Sequence, residues 1–163
     1  MKKWMVDRIL FLALTLMVLC SITYDSFSCS CIGKSTLKED IVKADVIFSG
    51  RILSENIFSI IDSSLPSGFN MRKKDYLVEV IKFYKRHEFR DTLHVITNLG
   101  HGDCGYPFQI NKKYIIYAEY SEHYFERGSI VSKFIYTDIC MRTMRINRKE
   151  IKLLRKWFKH TLV

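Results

Sequence analysis

The stretch Ser26-Phe27-Ser28-Cys29-Ser30-Cys31 determines how the rest of the chain is interpreted. It follows an almost wholly apolar segment, Ile9 to Cys20, which is itself preceded by basic residues. This order is typical of a signal peptide, and the small serines of the stretch suit cleavage after Ser28. The sequence therefore predicts a signal peptide over residues 1–28 and a mature chain over residues 29–163, secreted to the extracellular space or the periplasm.

Two other N-terminal signals fit part of this pattern. An uncleaved anchor would need about 20 apolar residues to cross a membrane, and the segment from Ile9 to Cys20 is shorter. A lipoprotein signal would modify Cys20 or Cys29. However, Leu19 is too large before Cys20, and Ser26 stands where a leucine is expected before Cys29.

The mature chain would be basic. It comprises 135 of the 163 residues, enough for one domain with a hydrophobic core, and carries a net charge of +8, against +9 for the whole chain. Such a charge favours an anionic matrix, a polysaccharide or an acidic protein surface as a partner. An exported protein rarely meets nucleic acid, so none is expected as a partner. A monomer with a basic, soluble surface is the simplest interpretation.

Four cysteines follow the predicted signal peptide: Cys29, Cys31, Cys104 and Cys140. An even number in an oxidising compartment predicts two disulfides, and four cysteines allow three pairings. A bond between Cys29 and Cys31 would be strained, because only one residue separates them. A zinc site made of the four is the competing interpretation, although the usual Cys-x-x-Cys spacing is absent.

Helices are predicted near both ends of the mature chain. Thr36 and Glu39 have the spacing of a capping box, which places a helix start there. Asn147 and Glu150 have N-cap and N3 spacing and begin a second, basic amphipathic helix. Its apolar residues fall on one face, which predicts that the helix packs on the rest of the domain. They are Ile151, Leu154 and Phe158, with Leu153 and Trp157 beside them.

Five short strands are predicted between the helices, at residues 44–53, 75–85, 92–97, 113–120 and 129–136. Gly50 is expected to form a bulge or bend, and Ser54 to Lys74 is expected to be a long loop or an open hairpin tip. Five strands with a helix near each end fit a mainly β fold. The predicted architecture is a five-stranded, OB-fold-like (oligonucleotide/oligosaccharide-binding type) β-barrel with two disulfides.

Enzyme signatures are scarce. The sequence has no Gly-x-Ser-x-Gly, no His-Glu-x-x-His and no phosphate-binding glycine loop. The five histidines lack metal-ligand spacing, so no catalytic residue, cofactor or metal of its own is predicted. Thiol–disulfide exchange at Cys29-Ser30-Cys31 is the enzymatic alternative. Redox pairs usually sit at a helix N-terminus in a βαβ unit, and that context is missing.

An ordered set of segments points to a known family. The mature chain would begin Cys29-Ser30-Cys31, and the further segments, in order, are Ala44–Gly50, Cys104–Phe108, Lys112–Ala118 and Thr137–Cys140. The set resembles the tissue inhibitors of metalloproteinases, of the netrin-like domain family. Their Cys-x-Cys start, first strand, Cys-Gly-Tyr/Phe segment, following strand and cysteine before the closing helix occur in this order. The resemblance spans essentially the whole mature chain.

This resemblance implies an inhibitory mechanism. It implies the disulfides Cys29–Cys104 and Cys31–Cys140, which would join the N-terminus to the Gly102–Gly105 loop as one rigid ridge. In the family this ridge enters the active-site cleft of a zinc endopeptidase. There the amino group and carbonyl of the first residue, here Cys29, chelate the catalytic zinc, and the second residue, here Ser30, points into the main specificity pocket. The residues expected to contact the peptidase are Ser30, Cys31, Ile32, Gly102, Asp103, Cys104 and Gly105.

The sequence also departs from the animal inhibitors. The third disulfide of this domain and the additional C-terminal domain have no counterpart in it. Netrin-like domains also occur as binding modules that do not inhibit proteases. The alternative to a metalloprotease inhibitor is therefore a secreted, non-inhibitory netrin-like module that uses its basic face for a polyanion or a protein partner.

Overall fold

The structure is a computed structural model of the chain. It describes residues 29–31, 33, 35–61, 70–86, 90–100, 102–121, 125–126, 129–130 and 134–160, together with positions 4, 8, 11–15 and 17 of the predicted signal peptide. None of the helices within these ranges is long and apolar enough to cross a membrane.

The fold is mainly β, as predicted, and five strands form a closed ring. The strands of the described residues, within and outside the ring, are β1 (Val46–Ile61), β2 (Asn70–Lys85), β3 (Thr92–Asn98), β4 (Lys113–Ser121), β5 (Phe125–Glu126), β6 (Ser129–Ile130), β7 (Phe134–Tyr136) and β8 (Met144–Arg145). The ring runs β1-β2-β3-β7-β4 and closes because β4 also pairs with β1. Only β3 and β7 are parallel among the ring pairs. The predicted five-stranded OB-like barrel is confirmed.

Both faces of the barrel wall are buried along β1 and β4. Phe48 and Ile116 belong to the cluster inside the barrel. Ile47 and Ile115, one residue earlier in each strand, belong to a second cluster outside the wall. Neighbouring side chains of a strand point to opposite faces, so burial of both faces requires a continuous apolar run such as Tyr114–Ala118. This explains why the alternation of apolar and polar residues is weak in these strands.

Two helices cover the outer cluster: α1 (Leu37–Lys43) and α2 (Arg148–His160). The predicted capping box is present at α1. The Thr36 hydroxyl accepts from the Glu39 N–H at 3.3 Å, and the Glu39 carboxylate accepts from the Thr36 N–H at 2.7 Å. The predicted N-cap of α2 is also present, because the Asn147 side chain accepts from the Lys149 N–H at 2.8 Å.

Gly50 lies at a register shift between β1 and β2, which confirms the expected bulge. A Cβ added at this position would lie 2.4 Å from a methyl group of Val78 and 2.9 Å from the carbonyl oxygen of Glu79. Because atoms of β2 occupy that space, only glycine allows β1 to lie so close to β2 at the bulge.

Two of the predicted element boundaries are wrong. Ser54–Lys74, expected to be a long loop or an open hairpin tip, belongs to a hairpin, because β1 continues to Ile61 and pairs antiparallel with β2 from Asn70 onward. Most of its described part is therefore strand, while residues 62–69 lie outside the described residues. The predicted strand at 129–136 is wrong as one element, because Ser129–Ile130 pairs with Phe125–Glu126 whereas Phe134–Tyr136 joins the ring; residues 131–133 lie outside the described residues. The short strand β8, which pairs with β4, was not predicted.

Candidate functional site

Two disulfides attach the N-terminal segment to the barrel. Cys29 pairs with Cys104 and Cys31 with Cys140, and the Cα atoms are 5.2 Å apart in each pair. These are the pairings that the family resemblance implies. The sulfur atoms of Cys29, Cys104 and Cys140 lie within 4.8 Å of one another, so the two disulfides are neighbours. These sulfurs are engaged in disulfides rather than in the alternative zinc site, and the Cys29–Cys31 bond of the redox interpretation is not formed.

The side chain of Asp103 organises the loop that carries Cys104. Its carboxylate accepts hydrogen bonds from the backbone N–H groups of Leu99 at 2.8 Å, Gly100 at 2.6 Å and Gly105 at 3.3 Å. Partial burial would raise the pKa of Asp103, but these hydrogen bonds outweigh it and lower the pKa below its ordinary value. The charged carboxylate therefore fixes the loop geometry at neutral pH.

The Cys104 loop also contacts the segment that carries Cys140. Gly105 forms an antiparallel bridge with Asp138, and the Cys104 carbonyl accepts from the Ile139 N–H at 3.0 Å. The Asp138 carboxylate in turn accepts from the Cys140 N–H at 2.8 Å. The loop that carries Cys104 and the segment that carries Cys140 are therefore hydrogen-bonded to each other, and each of them receives one of the two disulfides.

Below the loop, polar side chains connect it to β2 and β3. The Asn98 amide donates to the Asp103 carbonyl and accepts from the Lys73 ammonium. The Thr97 hydroxyl accepts from the Tyr106 N–H at 2.8 Å. Burial lowers the pKa of Lys73, and the negative charge of Asp103 opposes this shift. The barrel wall therefore supports the loop through directed hydrogen bonds.

The ridge formed by Cys29–Cys31 and Gly102–Gly105 is partly accessible. Ser30 and Cys31 are exposed, Asp103 is exposed, and Cys29 and Cys104 are half-buried, whereas Gly105 is buried. Ile32, predicted as a peptidase contact, lies outside the described residues. The structure thus brings the remaining predicted site residues together at one end of the barrel.

Sequence reasoning missed the residues that support the ridge from below. Asp138 stands two positions before Cys140, a spacing at which aspartate commonly accepts from a following backbone N–H. This local signal could have identified it. Asn98 and Lys73 act through contacts between strands that are distant in sequence, and no local pattern marks them.

No protein-family model matches the chain, and no match to a curated protein was found.

Proposed function

We propose that the chain is a secreted inhibitor of zinc metalloendopeptidases, and that Cys29, as the first residue of the mature protein, chelates the catalytic zinc of the target. The observation that carries the proposal is the double attachment of the ridge. Cys29 and Cys31 are each bonded to a separate loop of the barrel, while Ser30 between them is exposed.

The chemistry of a free N-terminus suits this role. An α-amino group has a pKa of about 8, so a neutral amine is available near neutral pH and metal binding can displace its proton. A catalytic zinc keeps one coordination position open for water or substrate. The amine and the carbonyl of Cys29 would form a five-membered chelate ring at that position and displace the water that the peptidase needs for hydrolysis.

The disulfides reduce the entropy that the N-terminus loses on binding. A loose N-terminal segment would have to be ordered in the active-site cleft, at a cost of conformational entropy. Here the Cys29–Cys104 and Cys31–Cys140 bonds already restrict that segment. Ser30 is small and exposed, so it can enter a specificity pocket without a clash.

The proposal requires that residues 1–28 be removed during secretion. The large apolar side chains described in this segment are mostly exposed, so its removal would take little packing from the barrel. The exposed fractions of Trp4, Phe11, Leu12, Leu14 and Met17 range from 61% to 79%. Export would also provide the oxidising environment in which two disulfides persist.

The test compares the secreted protein with a variant that carries one additional alanine before Cys29. Mass spectrometry first establishes that the unmodified protein begins at Cys29. The additional residue moves the amine away from the zinc, so inhibition of a panel of zinc endopeptidases should fall by at least about 100-fold. A protein with an alanine appended after Val163 is the matched control and should inhibit normally. Undiminished inhibition by the N-terminally extended protein would contradict zinc chelation.

A second candidate function is supported by the charge of α2. In this alternative the chain is a secreted binding module whose basic surface holds an anionic partner, independently of the Cys29 amine. Helix α2 contains six basic residues and a single acidic one, Glu150.

A further inference from the structure

Helix α2 presents a row of lysines along its exposed side. Lys149, Lys152, Lys156 and Lys159 are all exposed. They are separated by three, four and three residues, a spacing that places them on one side of a helix. At about 1.5 Å per residue the row is about 15 Å long. The helix therefore carries a linear array of positive charge on the surface.

The chain pairs several of its other basic residues with acidic ones. Ion pairs join Arg51 to Glu79, Lys74 to Glu55 and Lys43 to Glu119. Within the described ranges, no ion pair reaches the lysine row, and Glu150 is buried and bonded to Arg142. The helix thus has a net charge of +5, more than half of the +9 of the whole chain.

The charge pattern of α2 destabilises the helix in the absence of a partner. Lys152 and Lys156 are four residues apart, and like charges at this spacing repel each other. Arg148 and Lys149 stand in the first turn, where the helix dipole disfavours positive charge. Sequences that break local electrostatic rules in this way commonly do so at functional sites. An anionic partner would relieve both sources of repulsion.

The geometry favours a linear polymer over a lipid bilayer. A membrane-binding amphipathic helix inserts its apolar face between lipids, but that face of α2 is already used inside the protein. Leu154 is fully buried, and Ile151, Trp157 and Phe158 pack against the same outer cluster. Among the exposed residues described in α2 only Leu153 is apolar and the others are basic, and the straight row of lysines matches an extended chain of anionic groups.

We propose that the lysine row of α2 binds a linear sulfated polysaccharide. Sulfate groups spaced along such a polymer would each contact one or two ammonium groups of the row. The lysines act as point charges and do not require a fixed bidentate geometry. The site is separate from Cys29 and does not depend on the inhibitory function.

The experiment uses the purified, disulfide-bonded protein and heparin as the probe. The variant K152Q/K156Q/K159Q removes three charges of the row, and R72Q/R90Q/K112Q removes three exposed charges elsewhere on the protein. Glutamine and lysine have similar helix propensities, so α2 should persist. We expect the row variant to bind heparin at least about tenfold more weakly. The slope of the logarithm of its binding constant against the logarithm of the salt concentration should become shallower by up to about three. The control should change less than about twofold.

Thermal unfolding separates loss of binding from loss of folding. The row variant should have a Tm close to that of the unmodified protein, because removal of the repulsion between Lys152 and Lys156 offsets the loss of Lys159, whose charge the helix dipole favours in the last turn. Heparin should raise its Tm less than that of the unmodified protein. Equal weakening of both variants would overturn the proposal in favour of a general effect of net charge. Binding to anionic phospholipid vesicles without binding to heparin would overturn it in favour of a membrane surface.

Discussion

At Gly105 the two cysteine-bearing loops and the end of β3 meet so closely that no side chain fits. A Cβ at this position would lie 2.1 Å from the carbonyl oxygen of Asn98 and 2.5 Å from the nitrogen of Gly100. Both are backbone atoms, so a change of rotamer cannot relieve the overlap. The reason for glycine here is close approach of the backbone, as distinct from Gly100 and Gly102, whose φ angles of 93° favour glycine by themselves.

We therefore expect Gly105→Ala to lower the free energy of unfolding by about 3 kcal/mol, the upper range for inserting atoms into a packed site. The matched control is Gly33→Ala, because Gly33 has a φ of 71° but no atom within 4 Å of an added Cβ. It should cost about 1 kcal/mol from backbone strain alone. Urea denaturation of the two variants measures the difference. A loss for Gly105→Ala no larger than that for Gly33→Ala would contradict the unrelieved backbone overlap at Gly105.

Among the secondary-structure elements, α2 is fixed to the barrel by a buried carboxylate. Glu150 accepts from the Tyr117 hydroxyl at 2.6 Å and from the Arg142 guanidinium at 2.6 and 3.0 Å. Arg142 also lies 3.4 Å from Asp40 of α1. A single arginine thus connects both helices to the segment that follows Cys140.

Burial would raise the pKa of Glu150, but the hydrogen bonds from Arg142 and Tyr117 outweigh it and lower this pKa. The stabilisation from the ionised form is therefore present above the unfolded-state pKa of about 4.3. It is lost as the pH falls through the lower pKa of the folded state. Glu150→Gln should cost about 3 kcal/mol at pH 7, because it leaves Arg142 partly uncompensated.

The difference in unfolding free energy between the unmodified protein and Glu150→Gln should then narrow as the pH is lowered below about 4.3. Urea denaturation at a series of pH values measures it. Glu79→Gln is the control, because both side chains of the Glu79–Arg51 ion pair are exposed and the pair should contribute less than about 1 kcal/mol. A difference for Glu150→Gln that is the same at pH 7 and at pH 3 would contradict the ionised pair.

The elements show which features local sequence can predict. Thr36, Glu39 and Asn147 cap their helices as predicted, because capping depends on residues only a few positions apart. Glu150 has the spacing of a cap residue, but its carboxylate bonds to Tyr117 instead, 33 positions away. The extension of β1 to Ile61 was missed for a related reason. Pairing with β2 continues the strand through a stretch whose own pattern indicates a long loop or an open hairpin tip.

Across the whole molecule, the barrel and the ridge are held by different forces. The ring closes through backbone pairing of β1 with β4, and its interior is apolar. The Gly102–Gly105 part of the ridge is held by hydrogen bonds, and its Cys29–Cys31 part is attached by two disulfides that join residues 75 and 109 positions apart in the sequence. The four cysteines predicted two disulfides, but their pairing followed only from the family resemblance, because the cysteine count alone leaves three pairings open.

Removing either disulfide should therefore leave the barrel folded but less stable. We compare two double variants, Cys29→Ala with Cys104→Ala and Cys31→Ala with Cys140→Ala, so that no unpaired thiol remains. Loops of this length predict a loss of about 4 kcal/mol for each bond, with little difference between the two. Circular dichroism should show the β-structure retained in both variants, and urea denaturation should give similar losses. Loss of the β-structure in either variant would contradict a barrel that folds without the disulfides.

The two double variants should differ in how strongly they inhibit a zinc endopeptidase, although their unfolding free energies should be similar. Without Cys31–Cys140, residue 29 is still bonded to the Asp103-stabilised loop; without Cys29–Cys104, the residue whose amine would chelate zinc is itself released. Removal of Cys29–Cys104 therefore adds an entropic cost to zinc binding, because residue 29 must be ordered when it binds; this cost is about 1 kcal/mol or more for each residue that becomes free. The Cys29/Cys104 variant should therefore inhibit a zinc endopeptidase about tenfold more weakly than the Cys31/Cys140 variant. Equal inhibition by the two variants would mean that rigidity at residue 29 does not contribute to the mechanism.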